Sequence, residues 1–126
     1  MKKILIVLSD YYKDISNELL NTAKKELNLF SLKIVKVPGV FEIPVTISKN
    51  LKKFDAFIAL GCVIKGEPPH FDFISSATTL AIMNISVDIK KPIGNGIITC
   101  LNKKQAKLRS KKGKEAARAI KSVLSQ

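Results

Sequence analysis

The stretch Ala56-Phe57-Ile58-Ala59-Leu60-Gly61-Cys62-Val63-Ile64-Lys65-Gly66-Glu67-Pro68-Pro69-His70-Phe71-Asp72-Phe73 decides how the whole chain is read. Its first five residues are apolar with no polar alternation. Such a run is a strand covered on both faces, the mark of a parallel sheet held between helix layers. The glycines and prolines that follow end the strand and read as a loop. Beyond them Ile74, Ala77, Ala81, Ile82, Ile85 and Ile89 recur at helical spacing, and Pro92 stops the helix they define. The loop therefore sits at the carboxyl end of a buried strand, where open α/β sheets bind ligands, and it carries the only histidine of the chain.

The pattern repeats on either side. Ile4 to Leu8 is a second continuous apolar run. Asp14 to Leu29 places Ile15, Leu19, Leu20, Ala23 and Leu27 on one helical face. Leu32 to Val37 is a strand ended by Pro38-Gly39, and Phe41 to Leu51 suits a short helix with Pro44 in its first turn, where proline is tolerated. Ile93 to Thr99 is a fourth strand. Ala106, Leu108, Ala116, Ala117, Ile120, Val123 and Leu124 fit a final helix beginning after a loop around Gly113. Alternating strands and helices predict a four-stranded parallel sheet with right-handed crossovers and helices on both faces. The 126 residues form a single domain, 1–126. So small a sheet leaves apolar surface to cover, which predicts oligomerisation.

Bulk properties remove several classes. No apolar stretch spans a bilayer. The start, Met1 to Leu8, has too short an apolar part for a signal peptide, and Asp10 follows without a small-residue cleavage site. It reads as a first strand of a cytoplasmic protein. Cys62 and Cys100 lack metal-ligand spacing and read as small buried thiols. Net charge is +12, from 22 Lys and Arg against 10 Asp and Glu. Only Arg109 and Arg118 are arginines, and no aromatic residues interleave with the basic tail. Base readout and stacking both lack their usual residues, so nucleic acid is not the expected partner. A lysine-rich composition without a dedicated partner is the plain reading, and attraction of anionic small molecules is the second.

In the predicted topology the loops after all four strands meet at one edge. They bring together Tyr11 and Tyr12, Val40-Phe41-Glu42, the segment from Gly61 onward, and Thr99 to Asn102, with Arg109 a little further on. Either tyrosine suits stacking on a flat heterocycle. Glu42 suits hydroxyl groups as an acceptor, or equally a helix first turn. His70 suits proton transfer near neutral pH or a structural place at the start of a helix, and Arg109 suits a phosphate or plain solvation. A phosphoacceptor receiver would need an aspartate after the third strand, where this chain has Gly61-Cys62. A dinucleotide fold would need a glycine-rich turn after the first, where it has Ser9-Asp10-Tyr11.

Two of these segments are specific as a pair. Val37-Pro38-Gly39-Val40-Phe41-Glu42-Ile43-Pro44 resembles the V-P-G-A-F-E-I-P motif of the lumazine synthase family. Gly61 to Asp72 resembles that family's G-C-V-I-R-G-E-T-x-H-F-D. The resemblance runs from the first strand to the final helix. It implies a flavodoxin-like three-layer sandwich and the penultimate reaction of riboflavin biosynthesis. In that reaction 5-amino-6-(D-ribitylamino)uracil and 3,4-dihydroxy-2-butanone 4-phosphate condense to 6,7-dimethyl-8-ribityllumazine, phosphate and water. It implies a transferase using neither metal nor redox cofactor, with active sites between neighbouring subunits of a homopentamer. An archaeal-type riboflavin synthase and a non-catalytic lumazine- or flavin-binding homologue are the neighbouring alternatives.

By motif match the resemblance implies His70 as the proton-transfer residue and Tyr11 as the ring stacked on the pyrimidine. It implies Val40, Phe41 and Glu42 for the ribityl-pyrimidine, and Cys62, Val63 and Ile64 as backbone contacts to the heterocycle. Glu67, Pro68, Arg109 and Lys114 are implied for the phosphate. The chain departs from the pattern at three places. Asn95 stands where many members carry a phenylalanine over the pyrimidine. Pro68 replaces a threonine and so offers neither hydroxyl nor N–H. The segment after Arg109 is short, leaving Ser110-Lys111-Lys112-Gly113-Lys114, whose lysines are expected to make up for weaker phosphate contact. The amino-terminal extension of capsid-forming members is missing, which predicts a pentamer rather than an icosahedral shell.

Overall fold

A computed structural model describes residues 1–66 and 70–126, and for His70 and Phe71 the backbone alone. Four strands, β1 (Lys3–Ser9), β2 (Ser31–Val37), β3 (Ala56–Ile64) and β4 (Ile93–Cys100), form one sheet in the order β2-β1-β3-β4. Every neighbouring pair is parallel. Five α-helices accompany them: α1 (Lys13–Glu26), α2 (Ile43–Ser48), α3 (His70–Ile89), α4 (Lys103–Leu108) and α5 (Lys112–Leu124). The predicted three-layer α/β sandwich is what the chain adopts, with a strand order of the flavodoxin-like kind.

The two unbroken apolar runs occupy the two inner strands. Ile4 to Leu8 and Ala56 to Leu60 are fully buried. Side chains alternate across a strand, so Ile4, Ile6, Leu8, Ile58 and Leu60 enter one core with Ile15, Leu19 and Ala23 of α1 and Ala117 and Ile120 of α5. Leu5, Val7, Phe57 and Ala59 enter the other with Ile43 and Ile47 of α2 and Ile82 of α3. Each fully buried aliphatic side chain contributes about 1.5–3 kcal/mol, so β1 and β3 carry much of the fold. The edge strands show mixed burial instead.

Two boundaries differ from expectation. The sequence pattern joins the last two helices, but the structure has α4 and α5, and Gly113 lies inside α5 rather than in a loop. It is a packing glycine. A Cβ there would collide with the Leu19 carbonyl oxygen and lie 2.6 Å from Thr22 Oγ1 of α1. The strand beginning at Ala56 also runs on to Ile64, past the expected stop at Gly61. The helix ending at Ile89 is followed by Lys90 in the left-handed region, φ 57°. Lys91 Nζ then donates to the carbonyls of Leu51 and Phe54, 2.6 and 3.0 Å away, tying the end of α3 to the turn before β3. No helix among the described residues is long and apolar enough to cross a membrane.

Candidate active site

The pairing of β1 with β3 ends at Leu8↔Leu60, while the pairing of β3 with β4 continues through Ile64↔Cys100. The Lys65 N–H then donates to the Cys100 carbonyl at 2.8 Å. This is why Gly61 does not end the strand: the ladder to β4 holds Gly61 to Ile64 extended. The glycine serves another purpose. A Cβ there would lie 2.7 Å from Val40 Cγ1 and 3.0 Å from Ser9 Cβ. Its absence lets the turn after β2 lie directly against the overhanging part of β3.

That overhang has no β1 beside it, and the space left is a pocket of about 460 Å³. Ser9, Tyr11 and Tyr12 wall it on one side, Gly39 and Val40 on another, and Cys62, Val63, Ile64 and Gly66 on the third, with Ile74 of α3 closing it. Five predicted residues, Tyr11, Val40, Cys62, Val63 and Ile64, thus converge from three separate segments. Tyr11 is largely exposed and meets Tyr12 edge-to-face, with ring centroids 4.9 Å apart. Burial, together with Tyr11 and Cys62 beside it, pushes the Tyr12 phenol above its ordinary value. Tyr12, which the sequence offers beside Tyr11 as a stacking ring, also lines the pocket. Ile74 is a site residue that sequence reasoning does not find, because it is indistinguishable from the buried stripe of its helix.

Glu42 organises the turn after β2. Its Oε1 accepts the Gly39 N–H at 3.1 Å, and its carbonyl accepts the Thr46 hydroxyl at 2.8 Å. One carboxylate oxygen is thereby occupied. With Phe41, Phe73 and Ala77 it lines a hollow of about 580 Å³ that shares Ile74 with the pocket. Phe41 and Glu42 therefore stand beside the pocket rather than in its wall.

Cys62 and Cys100 lie on the same side of the sheet, Cys100 paired with Ile64 two residues beyond Cys62. Both are buried and neither forms a disulfide. Burial pushes the Cys62 thiol up to about 12, and the neighbouring Cys100 adds to the shift by charge and hydrogen bonding. A thiol so held stays protonated at neutral pH and is no nucleophile. The reading of both cysteines as small buried groups holds, and Cys62 serves the pocket as wall.

Asn95 and Arg109 lie elsewhere. Asn95 is exposed on β4, its Oδ1 accepting the Ile97 N–H at 3.0 Å. Arg109 follows α4 and donates from Nη1 to the Thr99 carbonyl at 3.0 Å. It lines a second hollow of about 440 Å³ with Thr99, Leu108, Lys111, Lys112 and Glu115. This hollow shares no residue with the pocket. Lys114 is exposed and does not line it, so Lys111 and Lys112 are the lysines beside the guanidinium. Glu67 and Pro68 lie outside the described residues, as does the side chain of His70, which begins α3.

A parallel α/β sandwich with a walled pocket at the carboxyl edge of its sheet is of the flavodoxin-like class, whose ligand sites lie at that edge. Comparison with known proteins narrows the class. The model of the 6,7-dimethyl-8-ribityllumazine synthase family matches residues 1–126. The chain is similar to proteins named 6,7-dimethyl-8-ribityllumazine synthase from Rhodopseudomonas palustris (strain BisA53), 40% identical over 97% of this chain and 83% of that one, and from Bartonella bacilliformis, 41% identical over 89% and 78%. A third, from Corynebacterium kroppenstedtii, is 38% identical over 82% of this chain and 67% of the relative. The chain belongs to the 6,7-dimethyl-8-ribityllumazine synthase family.

Proposed function

We propose that the chain catalyses the reaction of its family: 5-amino-6-(D-ribitylamino)uracil and 3,4-dihydroxy-2-butanone 4-phosphate give 6,7-dimethyl-8-ribityllumazine, phosphate and water. The observation that carries this is the pocket itself, where residues of both family motifs, Val40 from one and Cys62 to Ile64 from the other, meet beside Tyr11. The pyrimidine amine attacks the ketone and forms an imine with loss of water. Phosphate then leaves, and the ring closes with loss of a second water. Proton transfers recur throughout, which suits an imidazole titrating near neutrality. Orienting two reactants removes several kcal/mol more from the barrier.

In this reading Tyr11 stacks on the pyrimidine, Glu42 receives ribityl hydroxyls on its free oxygen, and Cys62 to Ile64 present backbone to the heterocycle. His70 moves the protons, and Arg109 holds the phosphate with Glu67, Pro68 and the lysines after it. Asn95 stands on the pyrimidine side with an amide where many relatives carry a ring. The test is to follow lumazine absorbance after mixing purified protein with both substrates. The expected result is acceleration over the uncatalysed background, with His70→Asn lowering kcat by about 100-fold, the low end for a positioned proton-transfer group. A wild-type rate equal to background overturns the reading.

The separation of the Arg109 hollow from the pocket supports a site completed by a second copy. So does α3, which carries an exposed apolar stripe besides its buried one. Phe73, Leu80, Met83 and Val87 of α3, with Phe41 and Val45 beside them, are each more than half exposed in the single chain. A contiguous apolar surface of this extent is rare on a monomer. The assembly proposed is a cytoplasmic homopentamer that covers this face and seats one subunit's Arg109 beside its neighbour's pocket. Light scattering should give the mass of five chains, and Leu80→Glu/Val87→Glu should give single chains without turnover. A sixty-chain particle, or an active monomeric variant, refutes it.

A further inference from the structure

The charge of this chain is concentrated. Residues 102–126 carry nine of the 22 cationic side chains and one of the ten acidic ones, a local excess of +8 out of +12. In the structure these residues are α4, the turn after it and α5. They pack with α1 on the side of the sheet away from α2 and α3. In the single chain this side of the molecule is open to solvent. Lys104, Lys107, Arg109, Lys111 and Lys114 are all exposed. Four carboxylates moderate the region: Glu26 lies 3.1 Å from Arg118 and 3.3 Å from Lys121, and Glu18 lines the crevice that Lys107 also lines. Asp14 lies 3.6 Å from Lys103, and Glu115 lies 3.7 Å from Lys112. The Asp14 and Glu115 pairs are solvated, and such pairs are worth little. Nine cations against these four carboxylates leave the field positive, and it surrounds the hollow at Arg109.

We infer that α4 and the start of α5 form a cationic apron that concentrates the phosphate-bearing substrate around Arg109 before it is bound. The inference rests on the proposed reaction, whose two substrates make a natural contrast. One carries a phosphate dianion and the other is uncharged. Like charges clustered beside a cleft raise the local concentration of a counter-ion substrate, and added salt removes the effect. Only the phosphate substrate feels the apron. Lys104 does not line the Arg109 hollow, and Lys107 faces a separate crevice beside Asp14 and Ser110. Both act at a distance, so their contribution is separable from direct phosphate contact.

The experiment measures kcat/KM for each substrate, the other held saturating, in sodium chloride without phosphate buffer. Between about 0.01 M and about 0.3 M salt the screening length shortens from about 30 Å to under 10 Å. Over that range kcat/KM for the butanone phosphate is expected to fall about tenfold, at the lower end of electrostatic focusing effects. The value for the pyrimidine should change less than about twofold, because an uncharged ligand gains nothing from the field. Lys104→Gln/Lys107→Gln should raise KM for the phosphate substrate about threefold at low salt, leave kcat unchanged and flatten the salt dependence. Equal salt slopes for the two substrates, or a double variant with the parent slope, overturn the apron while leaving the reaction intact. No lumazine from the parent protein overturns both.

Discussion

Gly113→Val is expected to prevent stable folding, and Gly113→Ala to lower the unfolding temperature by about 12 °C. The position lies where α5 crosses α1, and any Cβ would meet the Leu19 carbonyl oxygen and Thr22 Oγ1. Neither can step aside easily. The carbonyl belongs to the helix backbone, and the threonine hydroxyl already donates to that same carbonyl at 3.1 Å. The relief available is an outward shift of α5, which separates Ala116, Ala117 and Ile120 from Ile15, Leu19 and Ala23. Overpacking costs about 1–3 kcal/mol where side chains can adjust. Against backbone the upper value applies for a methyl group, and an isopropyl group exceeds it. Total stability is about 5–15 kcal/mol, and about 3 kcal/mol corresponds to roughly 12 °C for a chain of this size. Gly66→Ala is the control, because nothing among the described residues lies within 4 Å of its Cβ position. An unfolding midpoint for Gly113→Ala within about 2 °C of the parent would sink the argument, since that corresponds to under 1 kcal/mol.

Arg109→Ala is expected to lower kcat/KM for the butanone phosphate about 50-fold while leaving KM for the pyrimidine close to the parent value. A hydrogen bond to a charged group contributes about 1.5–3 kcal/mol, and each 1.4 kcal/mol is a factor of ten. The Thr99 carbonyl holds Nη1 and fixes the plane of the guanidinium, so its remaining N–H groups are oriented rather than free to wander. Arg109→Lys keeps the charge and loses the fork, so it should recover only part of the loss. Equal losses on both substrates would mean that Arg109 supports the fold or the assembly instead of the phosphate, and steady-state kinetics with each substrate varied in turn decides between them.

The inner strands were legible because burial on both faces leaves a plain mark: Ile4 to Leu8 and Ala56 to Leu60 have no polar alternation, and each became a central strand. The mixed pattern of Leu32 to Val37 belongs to an edge. Gly61 was harder. A glycine after an apolar run signals a turn, but here it marks a close approach of Val40 and Ser9, which only packing reveals. Gly113 misled in the same way. For the site, motif matching placed Tyr11, Val40 and Cys62 to Ile64 together, and one pocket holds them. It could not show that Arg109 opens into a different hollow, because two residues can share a motif-level role while facing opposite ways across an edge strand. Nor could it show which lysine stands beside Arg109, since Lys111, Lys112 and Lys114 differ only in helical phase.

Asn95 has a second consequence besides the ring it lacks. β4 is an outer strand, and its open side presents backbone groups to which a strand of another molecule could add. Such edges seed fibrous aggregates unless something blunts them. By holding the Ile97 N–H with its own side chain, Asn95 takes one donor out of that template. A phenylalanine in its place would supply an aromatic face and leave the donor bare. The Asn95 side chain is thus expected to blunt the edge while newly made chains are still searching for their neighbours.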